Sequence, residues 1–375
     1  MLFNYMAPAS GGRIPVALSM IECLKKLGLE TWLFCGKKTD RAGLTNHFGV
    51  SVPQIDREIV TPVWRIMRMA PRMQTYLEFL IPPSVRPLCD ILVNPYTSNL
   101  LPWVDITYFH TPRSFLFEKK SQKKRIWSYY YSGYRTIEKA LSNNSSQQLL
   151  LANSCFTADT MKETTGVEPE VLYPPVDVNS LVYSRSDSKE NWVLTIASFT
   201  PSKRLDLIPS IARRVDARFV ILCTLNNKPY YHSVVNMIKK FGLKERVRIL
   251  PDCHENYKVK IDLLRKAKVL LSPSVAEPFG ISIVEGMAGG CIPIAHDSGG
   301  PREYVPRDWL YRDLDEAVQK SGEALDSWKP AIGEKMKSIA ARFTKARFEE
   351  KFSTTVTCYL RKQKNFDSAI LRSAK

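Results

Sequence analysis

The sequence predicts an α/β protein built from two doubly wound domains with parallel sheets. Three observations carry that reading. Compact apolar runs alternate with helical apolar spacing along the second half. The same alternation, noisier, runs along the first half. A stretch over 174–190 (PPVDVNSLVYSRSDSKE), with two prolines, many Ser and Asp and little periodicity, lies between the halves. Strand–helix alternation with short connections implies parallel sheets covered by helices on both faces. At 375 residues the chain is long enough for two or three domains, each burying its own core.

In the second half, 192–199 (WVLTIASF) reads as a buried strand, and 203–215 as a helix with Leu207, Ile208, Ile211 and Val215 on one face. A strand over 218–222, a helix over 231–241, a strand over 247–250, a helix over 261–267 and a strand over 269–271 follow. A helix over 280–288 and a strand over 292–295 complete the series. In the first half, 2–6 reads as a strand, Gly11-Gly12 as a loop, 14–27 as an amphipathic helix ending near Gly28, and 31–35 as a second strand. The runs 106–110 and 149–153 are strand-like, each ending at a polar residue. Helical spacing (Ile339, Phe343, Phe348, Phe352) covers 334–363. Ligands of open parallel sheets bind at the carboxyl ends of the strands, so this architecture favours a nucleotide-dependent enzyme.

Composition narrows the partners. Lys and Arg number 54 against 37 acids, a net charge of +17. Such a field favours nucleic acid, nucleotide phosphates or an anionic membrane surface. The eight cysteines stand singly with no Cys-x-x-Cys pair, which argues against a zinc or dithiol centre and suits a reducing cytosol. No apolar run reaches the ~18–20 residues of a membrane-spanning helix, and the N-terminus lacks the pattern of a signal peptide. A cytoplasmic location is the expectation.

The most informative stretch is 272–305 (SPSVAEPFGISIVEGMAGGCIPIAHDSGGPREYV). Glu277 follows a strand, Pro278-Phe279-Gly280 opens a helix, and Glu285 falls one to two turns into it. Amides of Gly280, Ile281 and Ser282 lie where no intrahelical acceptor exists, and the helix dipole adds to their attraction for an anion. A carboxylate beside a diphosphate is costly unless it binds hydroxyls. Two flanking carboxylates therefore point to a nucleotide-sugar, with ribose at one, hexose at the other and diphosphate on the helix start.

Glu277-x7-Glu285 with Pro-Phe-Gly between, and Ser298-Gly299-Gly300-Pro301 after, resembles the donor-site signature of family-4 retaining glycosyltransferases of the GT-B fold. The run 150–177 (LLANSCFTADTMKETTGVEPEVLYPPV, then Asp177) resembles the family's Asn-Ser-x-(Phe/Trp)-Thr and Tyr-Pro-Pro-Val-Asp segments. Tyr108-Phe109-His110-Thr111-Pro112 resembles its His-x-Pro segment, and Gly11-Gly12 its first glycine-rich loop. The resemblance implies two Rossmann-like domains facing a central cleft: 1–175 on the acceptor side, a linker over 176–190, a nucleotide-sugar domain over 191–345, and a helix over 346–375 returning to the first domain.

It also implies roles. Glu277 contacts hydroxyls of the donor hexose, Glu285 the nucleotide ribose, and Phe279, Gly280 and Ile281 offer backbone amides to sugar and diphosphate. His110 lies close to the transferred sugar, and Lys203 neutralises the leaving diphosphate. Gly11 and Gly12 complete the donor-binding set. Many members carry an Arg five positions before that Lys; here the position is Ser198, and Arg204 is the candidate for the second positive charge. The implied activity is transfer of a hexose, with mannose from GDP-mannose as the first choice and a UDP-sugar as the other, to a hydroxyl of a lipid-linked or surface glycan with retention. Two alternatives stand beside it. One is a GT-B enzyme of other chemistry, such as a sugar-nucleotide epimerase. The other is a basic nucleic-acid-binding protein, which leaves 272–305 unexplained and shows no recognisable recognition module; no nucleic-acid partner is expected.

Asp313-Leu314-Asp315 looks like an Asp-x-Asp metal motif, but it opens a helical stretch, so Asp313 reads as an N-cap with acids in the first turn. No metal and no cofactor beyond the donor substrate are expected. The remaining histidines (His47, His232, His254, His296) receive no role. Two stretches, 57–87 and 118–135, interleave basic residues (Lys119, Lys120, Lys123, Lys124, Arg125) with Trp64, Trp127 and consecutive tyrosines. That pattern suits an anionic bilayer surface, and equally single-stranded nucleic acid or a solvated helix face. A peripheral position on the cytoplasmic face of a membrane follows from the first.

Overall fold

The apolar runs enter two parallel sheets in a computed structural model. It describes residues 2–3, 12–36, 38–49, 51–61, 79, 84–96, 99–101, 103–111, 132–133, 136–137, 139–140, 147–181, 189–251 and 257–362. The chain divides into two compact units, one of Met1–Arg41, Ser51–Pro174 and Phe348–Lys375, the other of Ala42–Val50 and Pro175–Arg347. Along the first half run β1 (Leu2–Phe3), α1 (Arg13–Lys26), β2 (Trp32–Cys35), α2 (Arg41–Phe48), β3 (Arg57–Val60), β4 (Val93–Asn94), β5 (Ile106–Phe109), β6 (Leu149–Ala152), α3 (Cys155–Thr165) and β7 (Glu170–Val171). The second half begins with β8 (Glu190–Ser198), α4 (Leu207–Ala212), β9 (Arg218–Thr224), α5 (Lys228–Lys240), β10 (Val247–Pro251), α6 (Tyr257–Lys266) and β11 (Ala267–Ser272). It ends with α7 (Ile281–Ala288), β12 (Ile292–His296), β13 (Leu310–Tyr311), α8 (Leu314–Ser327), α9 (Pro330–Ala340) and α10 (Lys345–Lys362).

The sheets order as β3-β2-β1-β4-β5-β6-β7 and β10-β9-β8-β11-β12-β13. Every pairing is parallel, with Val193 opposite both Phe219 and Val269 in the second sheet. In each sheet the winding reverses once, between β1 and β4 and between β8 and β11. These reversals leave openings at the carboxyl ends of the strands, where open sheets bind ligands. Central strands are buried on both faces, so they read as continuous apolar runs; Phe219, Ile221, Val269, Leu271, Ile292 and Ile294 join one core.

Some elements differ from the sequence expectation. The helix expected over 203–215 is instead a 3-10 turn at Pro201–Lys203, a left-handed residue at Arg204 (φ 50), and the short α4. The single helical stretch expected over 334–363 breaks at Ala341–Phe343, where Phe343 is buried and its carbonyl accepts the Val176 N–H at 2.9 Å. Within the stretch of linker composition, Val176, Val178 and Leu181 are buried, while residues 182–188 lie outside the described set. Most of the first strand (residues 4–6) and nearly all of the basic stretches 57–87 and 118–135 lie outside it too. Asp313 is the N-cap of α8, accepting the Glu316 N–H at 2.9 Å, and Asp315 pairs with Arg214 at 2.5 Å.

At the amino edge of the second sheet a single charge closes two helices. Lys189 Nζ donates to the carbonyls of Leu264, Ala267 and Gly289 at 2.8, 2.8 and 2.6 Å. These carbonyls belong to the ends of α6 and α7, where helix carbonyls lack intrahelical donors and the dipole favours a cation. Lys189→Met therefore lowers stability by about 2 kcal/mol, the scale of hydrogen bonds to a charged group. A lower urea midpoint with an unchanged denaturant slope is the expected measurement.

Candidate active site

Two loops meet at the winding reversal of the second sheet, one after β8 and one after β11. The first is anchored at both ends by fully buried Phe199 and Leu205. Tyr230, on α5, fixes its exit: its hydroxyl donates to Asp206 Oδ1 at 2.5 Å and accepts the Asp206 N–H at 3.0 Å. Lys203 and Arg204 sit between these anchors, with Arg204 held left-handed, a conformation that costs a non-glycine residue about 1–2 kcal/mol.

Ser298-Gly299-Gly300 holds the second loop against the sheet. The Ser298 hydroxyl accepts the Ala276 N–H at 2.7 Å, and Gly300 N–H donates to the Glu277 carbonyl at 2.9 Å. A Cβ at Gly299 would overlap the Glu277 carbonyl oxygen, and one at Gly300 that of Pro278. Only glycine permits this backbone approach. Ala276 is left-handed as well (φ 52). Phe279 is 2% exposed and packs on Tyr304 and Phe343, with ring centroids 5.4 and 5.2 Å away. Tyr304 donates its hydroxyl to the Phe279 carbonyl at 2.5 Å. Gly280 (φ 88) is the N-cap of α7, and its N–H and those of Ile281 and Ser282 have no helical acceptor.

The two loops are joined by charge. Lys203 Nζ stands 2.6 Å from Glu277 Oε2, with the two side chains 28% and 15% exposed. Burial pushes the Glu277 carboxyl up, but the Lys203 ammonium and hydrogen bonds from Lys203 and Ser274 outweigh it and hold the group below the ordinary carboxylate value. Glu285, on α7, pairs with Lys260 on α6 at 2.7 Å. Lys260 also lies 4.8 Å over the ring of Tyr257, whose hydroxyl donates to Asp177 at 3.0 Å. Sequence reasoning missed Lys260, which stands among the basic residues of an amphipathic helix, and it gave no role to His296. Its Nδ1 lies 2.7 Å from the Ser298 hydroxyl. Burial and the charge of Arg204 hold His296 below its usual value, hence neutral.

The remaining expected residues belong to the first unit. Gly12 is the N-cap of α1, and Gly11 lies outside the described residues. His110 ends β5 and is 7% exposed. Its Nε2 lies 2.9 Å from the Pro95 carbonyl, which only accepts, so Nε2 carries the proton and Nδ1 presents a lone pair. Asn153 donates to the His110 carbonyl at 2.9 Å, and the Thr157 hydroxyl donates to Asn153 Oδ1 at 2.7 Å. The Asn-Ser-x-Phe-Thr segment thus supports the backbone of His110. Among the described residues no cluster of three or more His, Cys, Asp and Glu could hold a metal ion.

Residues 182–308, which carry both loops, match the family described as glycosyl transferases group 1. The chain is 28% identical over 248 residues to a GDP-Man:Man(3)GlcNAc(2)-PP-Dol alpha-1,2-mannosyltransferase of Debaryomyces hansenii, covering 58% of this chain and 39% of that one. It is 27% identical over 282 residues to the alpha-1,3/1,6-mannosyltransferase ALG2 of Homo sapiens, covering 66% and 64%. The chain therefore spans less than two thirds of the length of these relatives. Among solved structures, Anabaena HepE in complex with UDP-glucose superposes with a TM-score of 0.71 at 15% identity, covering 95% of this chain and 98% of that one. The fold is GT-B, as the sequence motifs implied. The matched segment contains Lys203, Arg204, Glu277, Phe279, Gly280, Ile281 and Glu285; His110 and Gly12 lie outside it.

Burial, then the charge of Arg13, pushes the His110 imidazole down to about 3 from its usual 6.5, against a smaller upward pull from the Pro95 hydrogen bond. Its folded-state pKa is depressed, so its contribution to stability is present above about pH 6.5 and is lost as pH falls toward 3. In nitrogen-detected NMR, His110 is expected to stay a single neutral tautomer from about pH 5 to 8. A titration midpoint near 6.5 would contradict this environment.

Proposed function

We propose that this chain is a retaining mannosyltransferase. It moves mannose from GDP-mannose to a hydroxyl of a lipid-linked oligosaccharide. The observation that carries the reading is the open first turn of α7 with a carboxylate on either side, each already paired to a lysine. The group 1 match over the same loops and the printed activities of the mannosyltransferase relatives support it.

In this reading each group has a task. The α7 amides and Lys203 receive the diphosphate, and Arg204 adds a second positive charge from the same loop. Glu277 accepts hydrogen bonds from the hexose, and Glu285 from the ribose. In the first unit, His110 Nδ1 accepts from a sugar hydroxyl. It does so as a neutral acceptor, neither acid nor base. The charge that develops on the leaving diphosphate is met by dipoles and cations already in place, which is where such sites gain rate. The leaving diphosphate takes the acceptor proton in a same-face displacement, and the site requires no metal.

The acceptor's lipid anchor calls for a membrane surface. Among the described residues no helix is long and apolar enough to cross a membrane. The basic–aromatic stretches 57–87 and 118–135 support peripheral attachment to anionic lipid on the cytoplasmic face, each basic residue adding about 1 kcal/mol near the surface. Sedimentation with anionic vesicles that is lost in high salt, and absent with neutral vesicles, is the expected result.

The donor assignment is tested by thermal shift. GDP and GDP-mannose are expected to raise the melting temperature, with EDTA abolishing neither the shift nor transfer, because a ligand that binds only the folded state stabilises it. Glu285→Ala is expected to weaken GDP about tenfold, on the scale of a lost charge-assisted hydrogen bond. An unchanged GDP affinity would remove Glu285 from the ribose site.

A further inference from the structure

Lys203 and Glu277 are needed by different parts of a nucleotide-sugar, yet in the free protein each occupies the other. Their ion pair at 2.6 Å is mostly shielded from water. The backbone beneath the carboxylate cannot follow a departing lysine. The Glu277 carbonyl is bound by Gly300 N–H, Gly299 lies against it, and the preceding residue is bound by Ser298. Any exchange of partners is therefore made by side chains alone.

When a diphosphate draws Lys203 away, Glu277 keeps only Ser274 as a partner among the described residues, and a largely buried carboxylate loses its cation while gaining an anionic neighbour. That is costly. An intact nucleotide-sugar offsets the cost, because its hexose hydroxyls donate to the vacated carboxylate oxygen. A bare nucleoside diphosphate brings the phosphate and no hydroxyls for Glu277. We propose that Glu277 competes with the diphosphate for Lys203, so that the site holds the intact donor and rejects the spent nucleoside diphosphate. The role deepens the donor-site reading above and rests on it. Once the sugar has left, Glu277 recaptures Lys203 and loosens the product. Arg204, with which no carboxylate pairs among the described residues, stays available to the phosphates throughout, so rejection is partial.

The test is calorimetric titration of the full chain with GDP and GDP-mannose, repeated with UDP and UDP-glucose. Glu277→Gln keeps the shape and removes the charge. It is expected to bind GDP about tenfold tighter than the wild type, the scale of a close charge pair, with no gain for GDP-mannose. Transfer falls in the same variant, and product inhibition by GDP strengthens. Glu277→Asp, which retains the charge, keeps GDP weak. Lys203→Met combined with Glu277→Gln loses the gain, because the freed cation is gone. Equal or weaker GDP binding by Glu277→Gln, or equal tightening of GDP and GDP-mannose, overturns the competition while leaving the donor site standing. A wild-type chain that binds none of the four nucleotides overturns the donor-site reading itself.

Discussion

The second unit's site depends on one close approach of backbone to backbone. Gly299 and Gly300 lie against the carbonyls of Glu277 and Pro278, with no room for a Cβ on either. That contact fixes the loop after β11, which in turn sets where the Glu277 carboxylate stands and where α7 begins. Tyr304 and Phe343 then close over Phe279 from the other side. The glycines thus hold a charged side chain in a buried place by gripping the main chain on either side of it.

The long strands of the second sheet were legible because they are buried on both faces and read as unbroken apolar runs. Strands β1, β4, β7 and β13 span two residues each, too short to carry any period. The helix expected from 203 onward failed for a different reason. Apolar spacing at Leu207, Ile208 and Ile211 was real, but it says nothing about Arg204, whose left-handed backbone ends the preceding turn. Glu277, Glu285 and Lys203 were visible as motif residues. Their partners were not, since Lys203 meets Glu277 only because β8 and β11 are neighbours, and Lys260 meets Glu285 only because α6 packs beside α7. Such pairings are products of strand order, which a linear pattern does not contain.

The chain carries a net charge of +17, yet this site is not simply a pool of positive charge. Two of its lysines are matched to carboxylates at 2.6 and 2.7 Å, and its nearby histidine is kept neutral. A field that steers anions acts over about a Debye length. The choice among anions is made at contact, by which of them supplies partners for groups that are already bonded. Electrostatic attraction and discrimination are therefore separate properties of this molecule, drawn from different residues.

Arg204 is the residue at which two demands on the sequence diverge. A glycine there would adopt the same φ of 50 without steric penalty and would relieve local strain. Stability alone favours that replacement, and the loop's anchors at Phe199, Leu205 and Tyr230 would be untouched by it. What it would remove is a guanidinium at the mouth of the reversal between β8 and β11. An arginine in this conformation carries a charge at the cost of local backbone strain. Substitutions at 204 therefore offer a way to weigh one against the other in a single side chain.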